Sequence, residues 1–112
     1  MIGVETEYGL VGRRGDAVRN ARLSGGEAAG RLFTPIEREH ASSNVFLRNG
    51  GRLYLDVGSH PEYATAECAS VADLLVHERA GDELLTRLAR RAEADAAAEG
   101  EPVQLRLFKN NV

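Results

Sequence analysis

Arg52-Leu53-Tyr54-Leu55-Asp56 runs directly into Val57-Gly58-Ser59-His60-Pro61-Glu62-Tyr63-Ala64-Thr65. The first five residues alternate as a strand does, sending Arg52, Tyr54 and Asp56 to one face and Leu53 and Leu55 to the other. One face is wet and reactive; the other is core. From Leu55 to Thr65 the chain packs two acids, a histidine and hydroxyls into a short stretch punctuated by Gly58 and Pro61, a composition suited to a site. Upstream, Asn44-Val45-Phe46-Leu47 reads as a strand and Asn49-Gly50 as a tight turn, so the segment predicts a β-hairpin that displays Asp56. The return segment, Glu62 to Ala66, is expected to be extended.

A second acidic strand opens the chain in Met1-Ile2-Gly3-Val4-Glu5-Thr6-Glu7-Tyr8-Gly9-Leu10. Glu5 and Glu7 stand two residues apart and share a face, while Val4, Thr6 and Tyr8 take the other. Paired carboxylates without basic partners repel unless a cation lies between them, and hard oxygen ligands suit Mg²⁺ or Mn²⁺ better than zinc. The plainer reading of the same pattern is a solvated edge strand.

Beyond these two segments the pattern is α+β. Gly12 to Asn20 has little periodicity and predicts an irregular loop. Gly26 to Phe33 predicts a short helix that stops near Pro35, because the residue before proline is pushed out of the helical region. Ser70 with Asp73 forms an acidic variant of a capping box. From Val71, apolar residues at three- and four-residue intervals predict one long amphipathic helix with a break near Gly81. The charges on its polar face, Arg87, Arg90 and Arg91 beside Glu93 and Asp95, read as solvated surface. The helix ends by Gly100 and Pro102, and Val103, Leu105 and Leu107 then alternate with Gln104, Arg106 and Phe108 in a final strand.

Composition bounds the possibilities. A chain of 112 residues is about one small domain, short for a two-substrate ligase. A net charge of −3 with no basic stripe argues against a nucleic-acid partner. No apolar run approaches the roughly 20 residues of a membrane span, and no signal-peptide pattern precedes the first strand, so a cytoplasmic location is expected. Cys68 is the only cysteine, which excludes an intramolecular disulfide and leaves a buried or indifferent thiol as the default. His60 does not read as a zinc ligand, since His40 and His77 stand on unrelated segments; it is expected to order the loop before Pro61.

Gly3-Val4-Glu5-Thr6-Glu7-Tyr8-Gly9, the run from Ser42 to Cys68, and Leu107-Phe108-Lys109-Asn110-Asn111 together resemble the N-terminal part of the Pup ligases, the proteasome accessory factor A family. The resemblance is weak over Val11 to Ala41. It implies a partial glutamine-synthetase-like antiparallel sheet with one long helix. It also implies ATP-dependent joining of the C-terminal glutamate of the small protein Pup to lysines of target proteins. Carried over residue by residue, the resemblance implies that Glu5, Tyr54 and Glu62 bind Mg²⁺, that Arg52 and Thr65 contact ATP, and that Asp56 is the catalytic base. Glu7 is left as an acid beside or behind the metal.

Each of these residues has a plainer role open to it. Arg52 can pair on the surface with Glu62 or Asp56, Tyr54 can be an ordinary strand aromatic, and Asp56 can form the turn before Gly58. The family continues for several times this length, with further ATP and metal residues and the Pup-binding groove. Residues 1–112 are therefore expected to be a single N-terminal segment of a larger catalytic domain, inactive without the missing remainder. The related Pup deamidases read D-H-A-H-P-E-Y where this chain reads D-V-G-S-H-P-E-Y, and usually carry a longer insertion before the hairpin, which favours the ligase. Val112 is a weak deamidase-like touch, and a non-catalytic binding module is the reading from another class.

Overall fold

β1 (Glu5–Arg14) is the strand on which the other elements are arranged. In the computed structural model, which describes residues 1–15, 21–56 and 58–109, Glu5 to Glu7 pair with β5 (Pro61–Ala64) and Tyr8 to Arg14 pair with β6 (Val103–Lys109). The far end of β1 also meets β2 (Ala21–Arg22). β5 continues the sheet to β4 (Arg52–Leu55), and β4 to β3 (Asn44–Phe46). Every one of these pairings is antiparallel. The hairpin read from Asn49-Gly50 is present, with Gly50 at φ 83, the left-handed conformation that a tight turn demands and glycine allows.

β1 runs further than its own pattern predicts. Gly12 to Arg14 are strand, because β6, from the other end of the chain, supplies hydrogen-bonding partners that no local signal announces. A side chain at Gly12 would meet Ala28 Cβ at 2.9 Å, so its absence lets the first helix lie close to the strand. The rest of the loop expected there, residues 16–20, lies outside the described residues, as do Val57 and the Asn110-Asn111-Val112 end.

The first helix, α1 (Gly25–His40), begins at a capping box in which Ser24 and Glu27 satisfy each other's backbone N–H groups. It does not stop near Pro35, as the sequence predicts, but continues to Ala41, which takes φ 56 and donates its N–H to the Glu37 carbonyl. A proline inside a helix costs about 3 kcal/mol. Here Leu32, Phe33 and Pro35 are fully buried, and each large apolar side chain so placed contributes about 1.5–3 kcal/mol. Packing therefore outweighs the local preference. Arg38 and Arg31 also reach across to Glu99 beyond the end of the second helix.

That second helix, α2 (Val71–Ala98), starts where predicted, with the Ser70 hydroxyl accepting the Asp73 N–H at 3.1 Å. It is unbroken at Gly81. Gly81 is buried, and the ring of Tyr63 occupies the space a side chain would need. Even-numbered residues of β1 face the helices: Thr6 donates to Glu78 at 3.1 Å, the Tyr8 hydroxyl donates to Asp82, and Arg14 pairs with Glu27. Burial, with Asp82 as acceptor, pushes the Tyr8 phenol well above its ordinary range. Arg87 pairs with Glu83 and Arg90 with Glu93, whose other oxygen accepts the Leu105 N–H of β6 at 2.8 Å, while Arg91 reaches Glu39 of α1. β6 keeps the predicted alternation, burying Val103 and Leu105. Cys68 is a buried thiol beside an isolated bridge to Ile2. Among the described residues no helix is long and apolar enough to cross a membrane.

Candidate active site

Since the even residues of β1 face the helices, Glu5 and Glu7 project from the opposite, open face of the sheet. The register sets what stands beside them. Glu7 is the direct cross-strand partner of Glu62, and Glu62 is the partner of Tyr54, which faces Asn44 on β3. One step along, Glu5 is opposite Ala64, Ala64 opposite Arg52, and Arg52 opposite Phe46. Ala64, with only a methyl group, thus separates an acid from a base in this row. The alternate row, Thr6, Tyr63, Leu53 and Val45, lies on the helix side, where Tyr63 and Leu53 are fully buried.

Asp56 sits where β4 gives way to the hairpin loop. One carboxylate oxygen, Oδ1, accepts the N–H of Gly58 at 2.8 Å and of His60 at 2.9 Å. Oδ2 lies 3.5 Å from Nδ1 of His60, and the same nitrogen lies 3.4 Å from Oε1 of Glu7. The His60 N–H, with the Gly58 N–H and the imidazole assisting, outweighs partial burial and holds the Asp56 carboxyl below its usual range. The group stays a carboxylate at neutral pH, able to accept a proton.

Tyr54 is shifted the other way. Burial, its hydrogen bond to the Glu62 carboxylate, and the charges of Glu62 and Glu5 push the phenol up to about 12, against an opposing pull from Arg52. At neutral pH it therefore presents a neutral hydroxyl oxygen between two acids. Among the described residues Arg52 makes no ion pair with Glu62 or Asp56, its plainer reading. Its Nε donates to Asn44 Oδ1 at 2.7 Å, and its guanidinium lies 4.1 Å from the centre of the Tyr54 ring and 5.8 Å from that of Phe46. These two contacts fix the guanidinium beside the acids of the open face.

The six residues named from the sequence are not equally close. Glu5, Tyr54 and Glu62 are neighbours on one face and Arg52 adjoins them, while Asp56 lies at the loop end of the same face. Thr65 stands just past β5, where its hydroxyl accepts the Val4 N–H at 3.0 Å and its own N–H donates to the Val4 carbonyl. The tightest grouping of acid and imidazole ligand atoms among the described residues is Glu7, Asp56 and His60, all within 4.8 Å of one another. Acidic side chains on an open face group in this way without an ion; it is the all-oxygen set of Glu5, Glu62 and the Tyr54 hydroxyl that suits a hard divalent cation such as Mg²⁺. Asn44 was not singled out from the sequence, because nothing local marks it as the partner that orients Arg52.

Over residues 1–112, the whole chain, the sequence matches the family described as Pup-ligase protein. The chain belongs to the Pup-ligase family. A Pup–protein ligase of Corynebacterium diphtheriae is 54% identical over 112 residues, which are 100% of this chain and 23% of that protein. One from Brachybacterium faecium is 53% identical over 110 residues, covering 98% of this chain and 23% of the relative. Among solved structures, the complex between Pup and its ligase PafA superposes with a TM-score of 0.85 at 50% identity, covering 98% of this chain and 21% of that one. PafA in complex with ADP gives a TM-score of 0.58 at 53% identity over 80% of this chain and 19% of that one. Each of these alignments thus takes up less than a quarter of the other protein's length.

Proposed function

We propose that this chain is the N-terminal segment of the catalytic domain of a ligase that joins the C-terminal glutamate of Pup to lysines of target proteins, in the cytoplasm, at the expense of ATP. The observation that carries the reading is the open sheet face on which Glu5, Glu62 and Tyr54 converge beside Arg52, with Asp56 at its loop end. Family membership and the solved PafA complexes with Pup and with ADP support it.

The chemistry requires a carboxylate to be activated before an amine can displace its oxygen. Transfer of the γ-phosphoryl group to the glutamate gives an acyl phosphate and ADP. The lysine amine then attacks the acyl carbon, phosphate leaves, and an isopeptide bond forms. Glu5, Glu62 and the neutral Tyr54 hydroxyl would hold Mg²⁺, which supplies charge neutralisation for the phosphates. Arg52, stacked on Tyr54, offers planar donors to a phosphate oxygen. The Asp56 carboxylate takes a proton from the attacking ammonium, freeing the lone pair that makes the bond. Thr65 can donate its hydroxyl proton to the nucleotide while its oxygen still accepts from Val4.

The test uses the full-length protein containing this segment, with glutamate-ended Pup, a lysine-bearing target and Mg-ATP. Conjugate formation is expected from the unaltered protein and a loss of about 10²–10⁴-fold from Asp56→Asn, with ADP affinity retained. Ammonia release from glutamine-ended Pup without conjugation would assign the site to the deamidases instead. Absence of both activities from the unaltered protein would leave the binding-module reading.

A further inference from the structure

The two oxygens of Asp56 have different partners, and the difference says how the base is aimed. Oδ1 accepts two backbone N–H groups of the loop, Gly58 at 2.8 Å and His60 at 2.9 Å, so it is committed to the turn. Among the described residues Oδ2 accepts no backbone N–H; its neighbour is the His60 imidazole, 3.5 Å away at Nδ1. The loop itself is closed at both ends by backbone bonds, Asp56 N–H to the His60 carbonyl and Ser59 N–H to the Asp56 carbonyl, each 3.1 Å. Ser59 takes φ 61, a left-handed conformation costing a side-chain-bearing residue on the order of 1–3 kcal/mol. The resulting tight turn folds the imidazole back over Gly58, where an added Cβ would stand 3.2 Å from Nδ1 and 3.3 Å from Oδ1 of Asp56. On its other side the same Nδ1 lies 3.4 Å from Glu7 of β1.

His60 therefore stands between the acidic strand, which reaches this hairpin through the Glu7–Glu62 pairing of β1 with β5, and the loop bearing the base. A ring nitrogen within 3.5 Å of both like-charged carboxylates, Glu7 and Asp56, favours the orientation in which each faces it. We propose that His60 is a positioning residue: its Nδ1, held between Glu7 and Asp56, keeps Oδ2 of Asp56 aimed over the site face as the proton-accepting oxygen. This rests on the ligase reading above, in which Asp56 is the base. A displacement of about 1 Å in such a group is enough to cost about 10²-fold in rate.

The experiment compares His60→Ala, His60→Asn and His60→Gln in the full-length protein, measuring kcat for conjugate formation, KM for ATP, ADP affinity and the thermal midpoint. Asparagine can place its amide nitrogen near the position of Nδ1, whereas glutamine places it nearer that of Nε2. The expected result is a kcat about ten- to a hundredfold lower for the alanine variant with KM for ATP and ADP affinity within about twofold. His60→Asn should recover most of that loss and His60→Gln little of it. Gly58→Ala, which displaces the imidazole by a few tenths of an ångström without deleting any functional group, should lower kcat severalfold at an unchanged midpoint. Should His60→Ala fail to fold, the asparagine–glutamine contrast and Gly58→Ala decide the matter. Equal rates for asparagine and glutamine, or rates that fall only in step with the thermal midpoint, would overturn the positioning role. An unaltered protein that binds ADP but makes no conjugate would overturn the ligase reading itself, and a fully active Asp56→Asn variant the assignment of the base.

Discussion

The ring of Tyr63 lies against the backbone of Gly81, so closely that a Cβ on Gly81 would stand 2.3 Å from the ring's Cδ1. At its other end the Tyr63 hydroxyl accepts from the Asn49 side chain at 2.9 Å, beside the hairpin turn. One buried side chain thus ties α2, β5 and the turn together, while its sequence neighbours Glu62 and Ala64 face the site.

Gly81→Ala is therefore expected to destabilise the protein although alanine is the better helix former. The helical gain is about 1 kcal/mol, and displacing a fully buried ring costs about 1–3 kcal/mol. Gly30→Ala in α1, where nothing lies within 4 Å of the added methyl, should instead stabilise by up to about 1 kcal/mol. Urea unfolding of both variants checks the opposite signs.

Tyr54 should titrate late. Its folded value of about 12 lies above the ordinary 10.0, so the proton is bound more tightly in the folded state. The stabilisation linked to it is fully present below about pH 10 and is lost as pH rises through about 12. In metal-free buffer, phenolate absorbance of the unaltered protein minus that of Tyr54→Phe should show this late step. Glu62→Gln should bring it part of the way back, burial remaining as the larger cause.

Glu62→Gln also tests the opposed carboxylates. Like charges directly opposite across a strand pair cost stability, so removing one should raise the metal-free stability by about 0.2–1 kcal/mol. The same change should diminish the rise in thermal midpoint on adding Mg²⁺. An undiminished Mg²⁺ effect would place the cation elsewhere.

Arg52→Lys keeps the charge but loses the planar stack on Tyr54 and the geometry of the bond to Asn44. ADP binding is expected to weaken about tenfold, the equivalent of about 1.4 kcal/mol. Asn44→Ala should weaken it in the same direction by less, because Arg52 keeps its stack. Calorimetric titration with ADP compares the two.

Thr65→Val leaves the Val4 N–H without its acceptor, at a cost of about 1–3 kcal/mol for a buried donor and less for this partly buried one. Thr65→Ser should restore stability. If the hydroxyl also donates to the nucleotide, ADP affinity will follow the same order, valine below serine.

The chemistry-bearing faces were legible in the sequence because alternation is a local rule. Arg52, Tyr54 and Asp56 could be placed on one face, and Glu5 and Glu7 on another, from period two alone. The Asn49-Gly50 turn and the Ser70 cap were legible for the same reason, since each depends on residues within one turn of chain. The approach of His60 to Glu7 was not legible, because no short-range pattern links β1 to the hairpin loop.

The residues by themselves determined which side chains share a strand face, where the hairpin turns and where α2 begins, for these follow from backbone geometry over a few residues. Tertiary structure alone decided that Glu7 stands opposite Glu62, that β1 continues to Arg14, and that α1 passes through Pro35 and α2 through Gly81. Strand register between distant segments is set by packing and by partners elsewhere in the chain. The helix-breaking tendencies of Pro35 and Gly81 are a few kcal/mol at most, less than burial of Leu32, Phe33 and Tyr63 returns.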